Sequence, residues 1–241
     1  MRRLLAAATT AVLGLGLLVL PSGPAHAVET VQPLHDRLVS DDPANFTPHI
    51  LDGQVDAIAV VGSRVIVGGQ FTRAQNASGG PELSRVNILA FNRTTGIIDT
   101  GFVPNADGRV RTLAPAPDGA SVYVGGQFNT LGGQTARKIA RLNTATGLKV
   151  AGFNPGIPES LVYDLKLVGN RLFIGGQFTK INAVSRSLLA ELDPNTGALR
   201  PTGAAVFAGV HASGTTHIYK FDVNPAGTQL TAIGNFRTVN D

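Results

Sequence analysis

The tetrapeptide Gly-Gly-Gln-Phe occurs three times in this chain, at residues 68–71, 125–128 and 175–178, and a related Ile-Gly-Asn-Phe stands at residues 233–236. The successive phenylalanines of these blocks are 57, 50 and 58 residues apart. A period near fifty residues indicates that one supersecondary unit is used several times. The repeated unit therefore decides the fold of this chain.

Two further landmarks recur in the same order around each block. A Phe-x-Pro sequence begins at Phe46, Phe102 and Phe153, and a turn ending in Thr-Gly closes at Gly96, Gly147 and Gly197. Together the landmarks divide the chain into three complete repeats and a fourth that is incomplete, with the bounds 46–99, 100–150, 151–201 and 202–241.

Each repeat has the pattern of short antiparallel strands. Two β-rich runs surround a turn of Gly, Asn or Asp, as in 55–61 and 64–67, which is a hairpin signal. A third run follows, as in 86–91, and a weaker fourth follows the Thr-Gly turn, as in 97–99. Four such strands at this period predict an all-β fold, a β-propeller of four-stranded antiparallel blades.

The number of blades leaves two interpretations open. In one, residues 28–45 form an N-terminal arm that supplies the missing outer strands and closes a four-bladed ring. In the other, which we favour, the chain is a partial propeller that continues into further blades or domains. An open arc would leave unpaired strand edges, which predicts a poorly soluble or oligomeric protein.

The glycines and phenylalanines of the repeated block have a structural interpretation. Two glycines at a strand end leave backbone that a neighbouring strand can approach closely, and the phenylalanine then fills space between sheets. The residues of this structural motif are Gly68, Gly69, Phe71, Gly125, Gly126, Phe128, Gly175, Gly176, Phe178, Gly234 and Phe236.

Residues 1–27 have the pattern of a signal peptide. Two arginines precede the apolar run 4–20, and a small-x-small cleavage site follows at residues 25–27. The alternative is a membrane anchor, but the run is short for a span and no stop-transfer pattern follows it. The sequence therefore predicts a secreted, extracellular protein without a stable membrane span after cleavage of the leader.

Charge and composition exclude several classes of function. The net charge of +4 includes Arg2 and Arg3 of the leader, so the rest of the chain has no nucleic-acid footprint. The absence of cysteine excludes disulfides and a lipid-modified anchor. His211 and His217 are interpreted as an incidental pair, because the histidines lack zinc spacing. No calcium loop or catalytic triad motif occurs, and we expect no cofactor and no metal.

The block Val-Gly-Gly-Gln-Phe, the run 138–143 (Lys-Ile-Ala-Arg-Leu-Asn), the Thr-Gly turn and the Gly-Phe-x-Pro sequence together resemble the delta-sixty repeat. The best match is 124–155, and the resemblance covers about 46–241. The resemblance implies an exported bacterial β-propeller, often found beside other extracellular modules. It implies no catalytic residues. The first repeat departs from the pattern by a longer loop at 74–83, and the fourth is truncated.

Candidate ligand-binding residues are found at two kinds of position. The amides Gln70, Gln127, Gln177 and Asn235 occupy one repeated position and could line a channel mouth, although such amides also satisfy backbone groups at strand ends. Inner strands of a propeller can also project polar groups into the channel, which makes candidates of two acidic residues. These are Asp164 and Asp222.

The function that fits this sequence best is a secreted, non-catalytic propeller for extracellular binding or scaffolding, with a glycan or a protein as partner. The alternative is a carbohydrate-active hydrolase or lyase with a central-channel site, which predicts acidic and aromatic side chains converging on one mouth. Three tyrosines and no tryptophan are available for stacking on sugars, which counts against the alternative.

Overall fold

The computed structural model describes residues 45–157, 160–201, 205–209 and 214–240. The predicted leader, all of the N-terminal arm except Asn45, and His211 lie outside the described residues. Within these residues there is no helix long and apolar enough to cross a membrane. All elements below belong to one compact unit that begins at Ala44.

Twenty strands make up the described part of the chain. In chain order they are β1 (His49–Ile50), β2 (Gln54–Val61), β3 (Arg64–Gln70), β4 (Arg73–Gln75), β5 (Leu83–Ser84), β6 (Ile88–Asn92), β7 (Val110–Pro115), β8 (Ser121–Gly126), β9 (Thr130–Leu131), β10 (Gln134–Thr135), β11 (Ile139–Asn143), β12 (Val162–Val168), β13 (Arg171–Gly176), β14 (Lys180–Ile181), β15 (Val184–Ser185), β16 (Leu189–Leu192), β17 (Phe207–Ala208), β18 (His217–Val223), β19 (Leu230–Asn235) and β20 (Thr238–Val239).

The longer strands form four antiparallel blades in chain order. The first three blades are the sheets β2-β3-β6, β7-β8-β11 and β12-β13-β16, and the fourth is the pair β18-β19. We call β2, β7, β12 and β18 the inner strands, β3, β8, β13 and β19 the middle strands, and β6, β11 and β16 the third strands. The predicted all-β class and the repeated blade are confirmed.

The fourth strand predicted for each blade is much reduced. After each Thr-Gly turn, a single bridge joins one residue to the third strand. These bridging residues are Ile98, Lys149 and Leu199. Most of the remaining short strands lie in the loops between the middle and third strands of one blade. They pair as β1-β4-β5, β9-β10, β14-β15 and β17-β20.

Neighbouring blades contact each other through their inner strands. β2 packs against β7, β7 against β12, and β12 against β18. The hydrophobic core follows the same order, because one cluster joins the first and second blades and another joins the second and third. Each blade therefore completes the interior of its neighbour, as expected for a repeat protein.

The first glycine of each Gly-Gly-Gln-Phe block packs against the inner strand of the next blade. A Cβ on Gly125 would lie 2.8 Å from side-chain atoms of Thr112 and Val162 and 2.9 Å from Leu165. A Cβ on Gly175 would lie 2.8 Å from Phe221 of the fourth blade. These contacts show why a side chain is excluded where the next inner strand packs.

The second glycine faces its own inner strand. A Cβ on Gly126 would overlap the carbonyl oxygen of Arg109, and a Cβ on Gly176 would overlap that of Leu161. The amide of Gly126 also donates to the carbonyl of Lys138 at 2.9 Å. The middle strand is thus held closely between its two neighbours within one blade.

The phenylalanines of the repeated block fill the core, with one exception. Phe71, Phe128 and Phe178 are at most 2% exposed. Phe236 of the fourth blade is only partly buried, because it packs beside a blade that has no third strand in the described residues. The predicted filling role is therefore confirmed in the first three blades and incomplete in the fourth.

The other two landmarks of a repeat meet in space. Pro104, in the Phe-x-Pro sequence that opens the second repeat, lies against Gly147 in the turn that closes it. In the third repeat, the amide of Asn154 donates to the carbonyl of Thr196 at 3.0 Å. The contact between the two ends of a repeat explains why the two landmarks recur together.

Candidate functional site

Every inner strand contains a bulge at the same place in its repeat. The register with the middle strand skips one residue, which is Asp56 in β2, Arg111 in β7, Tyr163 in β12 and Tyr219 in β18. The bulge lies opposite the second glycine of the block, where inner and middle strands approach each other most closely. Bulges redirect side chains, and they often occur next to functional sites.

The bulged residues are chemically different although the scaffold around them repeats. They comprise a carboxylate, a guanidinium and two phenols, and the contacts of these groups run from blade to blade. Asp56 pairs with Arg109 of the second blade, and Arg111 lies over the ring of Tyr163 in the third. Tyr163 in turn contacts Tyr219 of the fourth blade. One band of polar and aromatic side chains therefore crosses all four inner strands.

The ion pair between Asp56 and Arg109 is bidentate. Arg109 Nε and Nη2 donate to the two carboxylate oxygens, and both distances are 2.5 Å. Burial raises the pKa of Asp56, but hydrogen bonds from Arg109 and Gln54 outweigh it, so the pKa lies below the usual range. The carboxylate is therefore ionised at neutral pH and is already occupied by a cation.

An aromatic cluster lies at the other end of the band. The ring of Tyr163 lies 5.6 Å from the rings of both Tyr219 and His217, and the guanidinium of Arg111 lies 5.1 Å from its centroid. Tyr219 is 50% exposed, so one phenol remains available to a ligand. Within the described residues, Arg111 Nε is buried without a hydrogen-bond partner. His217 thus belongs to an aromatic cluster, which its sequence position did not indicate.

A groove of about 450 Å³ runs along these strands. We call it the inner groove, and residues from all four inner strands line it, including Asp56, Arg111, Asp164, Lys166 and Lys220. It carries both cations and carboxylates. The structure therefore offers a polar cavity shared by the blades, at the place where the sequence predicted a central site.

Asp164 lies in the groove wall but is engaged by both neighbouring blades. The residue is 4% exposed. One oxygen accepts from Thr112 Oγ1 of the second blade at 3.3 Å, and the other accepts from the amide of Phe221 in the fourth at 3.2 Å. Lys220 Nζ lies 3.4 Å away. This carboxylate joins three blades.

Asp222 is placed quite differently from Asp164. Its side chain is 79% exposed and lies 3.5 Å from Lys166 Nζ of the third blade. The pairing registers show the reason: Asp164 immediately follows the bulged residue of β12, whereas Asp222 lies three residues after the bulged residue of β18. Asp164 and Asp222 therefore do not occupy equivalent positions in their blades. Whether either residue binds a ligand stays a prediction.

The repeated amides lie near the boundaries between blades. Gln70 Oε1 is 3.4 Å from Arg109 Nη1 of the second blade, and Gln177 Nε2 donates to Thr215 Oγ1 ahead of β18 at 2.7 Å. Asn235 donates to the carbonyl of Thr215 at 3.2 Å. Gln127 is partly buried, and its backbone nitrogen donates to the carbonyl of Arg109. The contacts of Gln70 and Gln177 link blades, and ligand binding by these amides stays a prediction.

Sequence reasoning missed the bulged positions. The signal was local: at or near the start of each inner strand a valine or isoleucine precedes a residue whose type varies among the repeats, as in Val55-Asp56 and Ile218-Tyr219. Strict strand alternation would have placed these residues on one fixed face. A bulge skips one residue of the inner strand and so changes the face on which that side chain lies. Only the pairing registers with the middle strand show this change.

Comparisons with known proteins agree with the blades. Residues 117–147 match a family described as "Domain of unknown function (DUF5122) beta-propeller". No curated protein gives a significant match. Among solved structures, the WD40 β-propeller domain of Doa1 matches at 15% identity and a TM-score of 0.46, covering 77% of this chain and 49% of that one. The chain thus spans about half the length of that structure.

A second solved structure is the computationally designed Ika4 protein. It matches at 14% identity and a TM-score of 0.40, covering 76% of this chain and 92% of that one. The three-stranded blades, their packing through inner strands and the family match at 117–147 lead to one conclusion. The chain is a β-propeller repeat protein.

Proposed function

We propose that this protein is an exported, non-catalytic propeller module that binds an anionic carbohydrate in the inner groove. The observation that carries the proposal is the bulge repeated in all four inner strands, which presents different side chains from an otherwise repeated scaffold. A purely structural role would call for one residue type in every blade, whereas three types occur here: Asp56, Arg111 and the two tyrosines.

The chemistry of the groove supports a carboxylate-bearing sugar. Arg111 brings a guanidinium whose Nε has no partner in the described residues, and guanidinium groups bind carboxylates well. Tyr219, which precedes the groove residue Lys220 in β18 but is not itself in the lining, offers a half-exposed ring for the apolar face of a sugar. Three cations, Arg111, Lys166 and Lys220, line the groove together with two carboxylates, Asp56 and Asp164.

The same geometry argues against the hydrolase or lyase alternative. Glycoside hydrolysis uses two carboxyl groups, one as acid and one as base or nucleophile. The two carboxylates that line the inner groove are each paired with a cation, Asp56 with Arg109 and Asp164 with Lys220. Asp222, outside the lining, lies 3.5 Å from Lys166. Carboxylates engaged in this way are poorly suited to exchange protons with a substrate, so the groove favours binding.

Export rests on the sequence pattern of residues 1–27, which lie outside the described residues. The test is expression in a bacterial host followed by mass determination of the protein in the medium or periplasm. Cleavage after Ala27 gives a chain that begins at Val28. A full-length protein that stays in the cytoplasm would contradict export. Binding in the inner groove does not depend on export and has a separate test.

Binding is tested with a glycan array that holds uronic-acid and neutral polysaccharides, followed by calorimetry on the best acidic glycan. Arg111→Gln removes the charge and lowers affinity about 10–100-fold, since a hydrogen bond to a charged group contributes about 1.5–3 kcal/mol. Arg93→Gln, at an exposed turn outside the groove, is the matched control and leaves affinity unchanged.

Tyr219 provides a second test. Tyr219→Ala weakens binding, whereas Tyr219→Phe keeps the ring and retains most of it. Affinity that responds to neither Arg111→Gln nor Tyr219→Ala would place the ligand elsewhere. A turnover assay on the same polysaccharides is run in parallel, and release of sugar fragments by the protein would establish the enzymatic alternative.

A further inference from the structure

A second polar cavity lies beside the link between the second and third blades. Its volume is about 730 Å³, larger than that of the inner groove, and the two cavities share no described residue. Residues 134–137, ahead of β11, form one wall, and residues 149–154 of the link form another together with Gly156. Asn182, in the turn between β14 and β15, contributes from the third blade. We call this space the linker cavity.

The linker cavity is lined by groups that donate hydrogen bonds to anions. Arg137 and Lys149 supply two cations, and Gln134, Asn154 and Asn182 supply side-chain amides. No aspartate or glutamate is among its described lining residues, whereas two carboxylates line the inner groove. The walls of the linker cavity therefore leave its positive charge uncompensated, and its chemistry favours an anion.

The donors of the cavity are only partly used by the protein. The ion pairs of the described residues include neither Arg137 nor Lys149. The ammonium of Lys149 donates to the carbonyl of Thr135, so it lies beside the loop that carries Arg137 and keeps two of its three donors. Asn182 Oδ1 accepts from the backbone nitrogen of Gly156 at 2.6 Å, which leaves the NH2 group of that amide for a ligand.

Lys149 stands where the other blades have an aliphatic residue. It forms the single bridge to the third strand, and the bridging residues of the first and third blades are Ile98 and Leu199. Ile98 is 2% exposed, so the scaffold uses this position for packing. A lysine can pack only its aliphatic stem there and must keep its ammonium in contact with water or an acceptor. The change to a cation in one blade therefore indicates a role outside the shared scaffold.

Arg137 departs from the repeat both in charge and in backbone conformation. At the same place, two residues before the third strand, the first blade has Val86 and the third has Ser187. The φ angle is 44° at Arg137 and 72° at Lys138. In the other two blades, the residue that matches Lys138 also has a positive φ, but the residue that matches Arg137 does not. Left-handed residues other than glycine are strained and occur at functional sites, and the additional one here brings a guanidinium to the cavity.

We infer that the linker cavity binds a tetrahedral oxyanion, which is the sulfate or phosphate ester group of a small ligand such as a modified sugar. Such a group has three strong acceptor oxygens, and the donors of the cavity come from three separate segments of the chain. A guanidinium binds two of these oxygens in one plane, and an ammonium binds as a point charge. A carboxylate has only two oxygens and would leave the donors of one segment unused. This site is independent of the inner groove and of the function proposed for it.

The test is an NMR titration of the protein with four ligands built on one sugar. These are glucose 6-phosphate, glucose 6-sulfate, glucuronate and glucose. We expect the amide signals of residues 134–137 and 149–156 to shift and saturate with at least one of the two esters. The affinity obtained from these signals should exceed that of glucuronate about tenfold or more, and glucose should leave them unchanged. The comparison of the two esters identifies which oxyanion the cavity prefers.

A pair of double variants separates a site from general charge attraction. Arg137→Gln combined with Lys149→Gln removes both cations of the cavity and lowers the ester affinity about tenfold or more. Arg93→Gln combined with Lys180→Gln, at exposed positions outside the cavity, changes the net charge equally and leaves the affinity unchanged. If the cavity variant does not fold, the four ligands on the unchanged protein decide.

Three results would overturn the inference. The first is that neither ester shifts the amides of the linker cavity. The second is that glucuronate shifts them at the same concentration as the better ester. The third is that both double variants lose the same affinity, because the attraction would then depend on net charge alone. Shifts confined to the inner groove count as the first result and do not affect the proposal made for that groove.

Discussion

Asp164 Oδ2 accepts a hydrogen bond from the backbone nitrogen of Phe221 at 3.2 Å, which ties the third blade to the fourth. The same carboxylate accepts from Thr112 of the second blade at 3.3 Å. A residue that the sequence suggested for ligand binding is thus a connection between three blades. Its ion pair with Lys220 places it in the wall of the inner groove as well.

Replacement of Asp164 by alanine is expected to destabilise the protein by about 2–4 kcal/mol, because it leaves a buried amide and a neighbouring lysine without their acceptor. The matched control is Asp222→Ala, whose side chain is 79% exposed and whose loss costs less than about 0.5 kcal/mol. Urea unfolding of both variants measures the difference. Equal midpoints would show that Asp164 does not connect the blades.

The substitution Gly126→Ala, which adds one methyl group, should disrupt the second blade. The added Cβ overlaps the carbonyl oxygen of Arg109, so the inner and middle strands must separate, at a cost of about 3 kcal/mol. Gly101→Ala is the control, because its added Cβ lies 3.4 Å from Asp99 and meets no backbone. Thermal unfolding of the two variants gives the comparison. A Gly126→Ala protein as stable as Gly101→Ala would refute the close approach.

The four phenylalanines of the repeated block should differ in their importance. Phe178→Ala removes a side chain with no exposed surface and costs about 3–5 kcal/mol. Phe236→Ala, at the equivalent position of the fourth blade, costs about half as much or less, because its ring is only partly buried. Denaturant unfolding tests both. Equal losses would mean that the fourth blade is covered as completely as the third.

Asp193 should make the stability depend on pH in acid. The Arg200 guanidinium, followed by turn amides such as that of Thr196, lowers the pKa of Asp193 from 3.8 to about 2. A lowered pKa in the folded state gives stability that is complete above about pH 4 and is lost as the pH falls through 2. The side chain is partly exposed, so solvent screening limits the effect to about 1 kcal/mol.

Asp193→Asn tests this dependence with little other change. Asn92 and Asn143 hold the same turn in the first two blades through the same two backbone hydrogen bonds. The wild type should therefore be more stable than the variant at pH 6, and the difference should vanish near pH 2. Urea unfolding at pH 6, 4, 3 and 2 measures it. A difference that stays constant over this range would contradict the ionic contribution.

Much of the fold could be predicted because its signals are local. The period of the Gly-Gly-Gln-Phe block sets the size of the blade, and the turns around Gly62 and Gly169 mark the hairpins. The predicted fourth strand was reduced to a bridge in each blade, as at Ile98. Its pairing depends on neighbouring loops, and strand propensity carries no information about those.

For the candidate site, the sequence predicted polar groups on the inner strands but not which side chains come together there. Inner strands were expected to line a channel, and the inner groove lies along them. The bulged residues Arg111, Tyr163 and Tyr219 were not selected, because a bulge changes the face on which a side chain lies. Of the three, Arg111 lines the groove. Asp164 and Asp222 looked equivalent in sequence and are not, because a shift of two residues separates their positions relative to the bulge.

The sequence by itself determined the repeated unit, its turns and the need for glycine where strands meet, since these follow from spacing and from the backbone freedom of single residues. Only the tertiary structure decided which side chains from different blades come together. Contacts such as Arg111 with Tyr163, or Asp164 with Phe221, join residues more than fifty positions apart. Their geometry depends on how one blade packs against the next, and no local pattern in the chain records it.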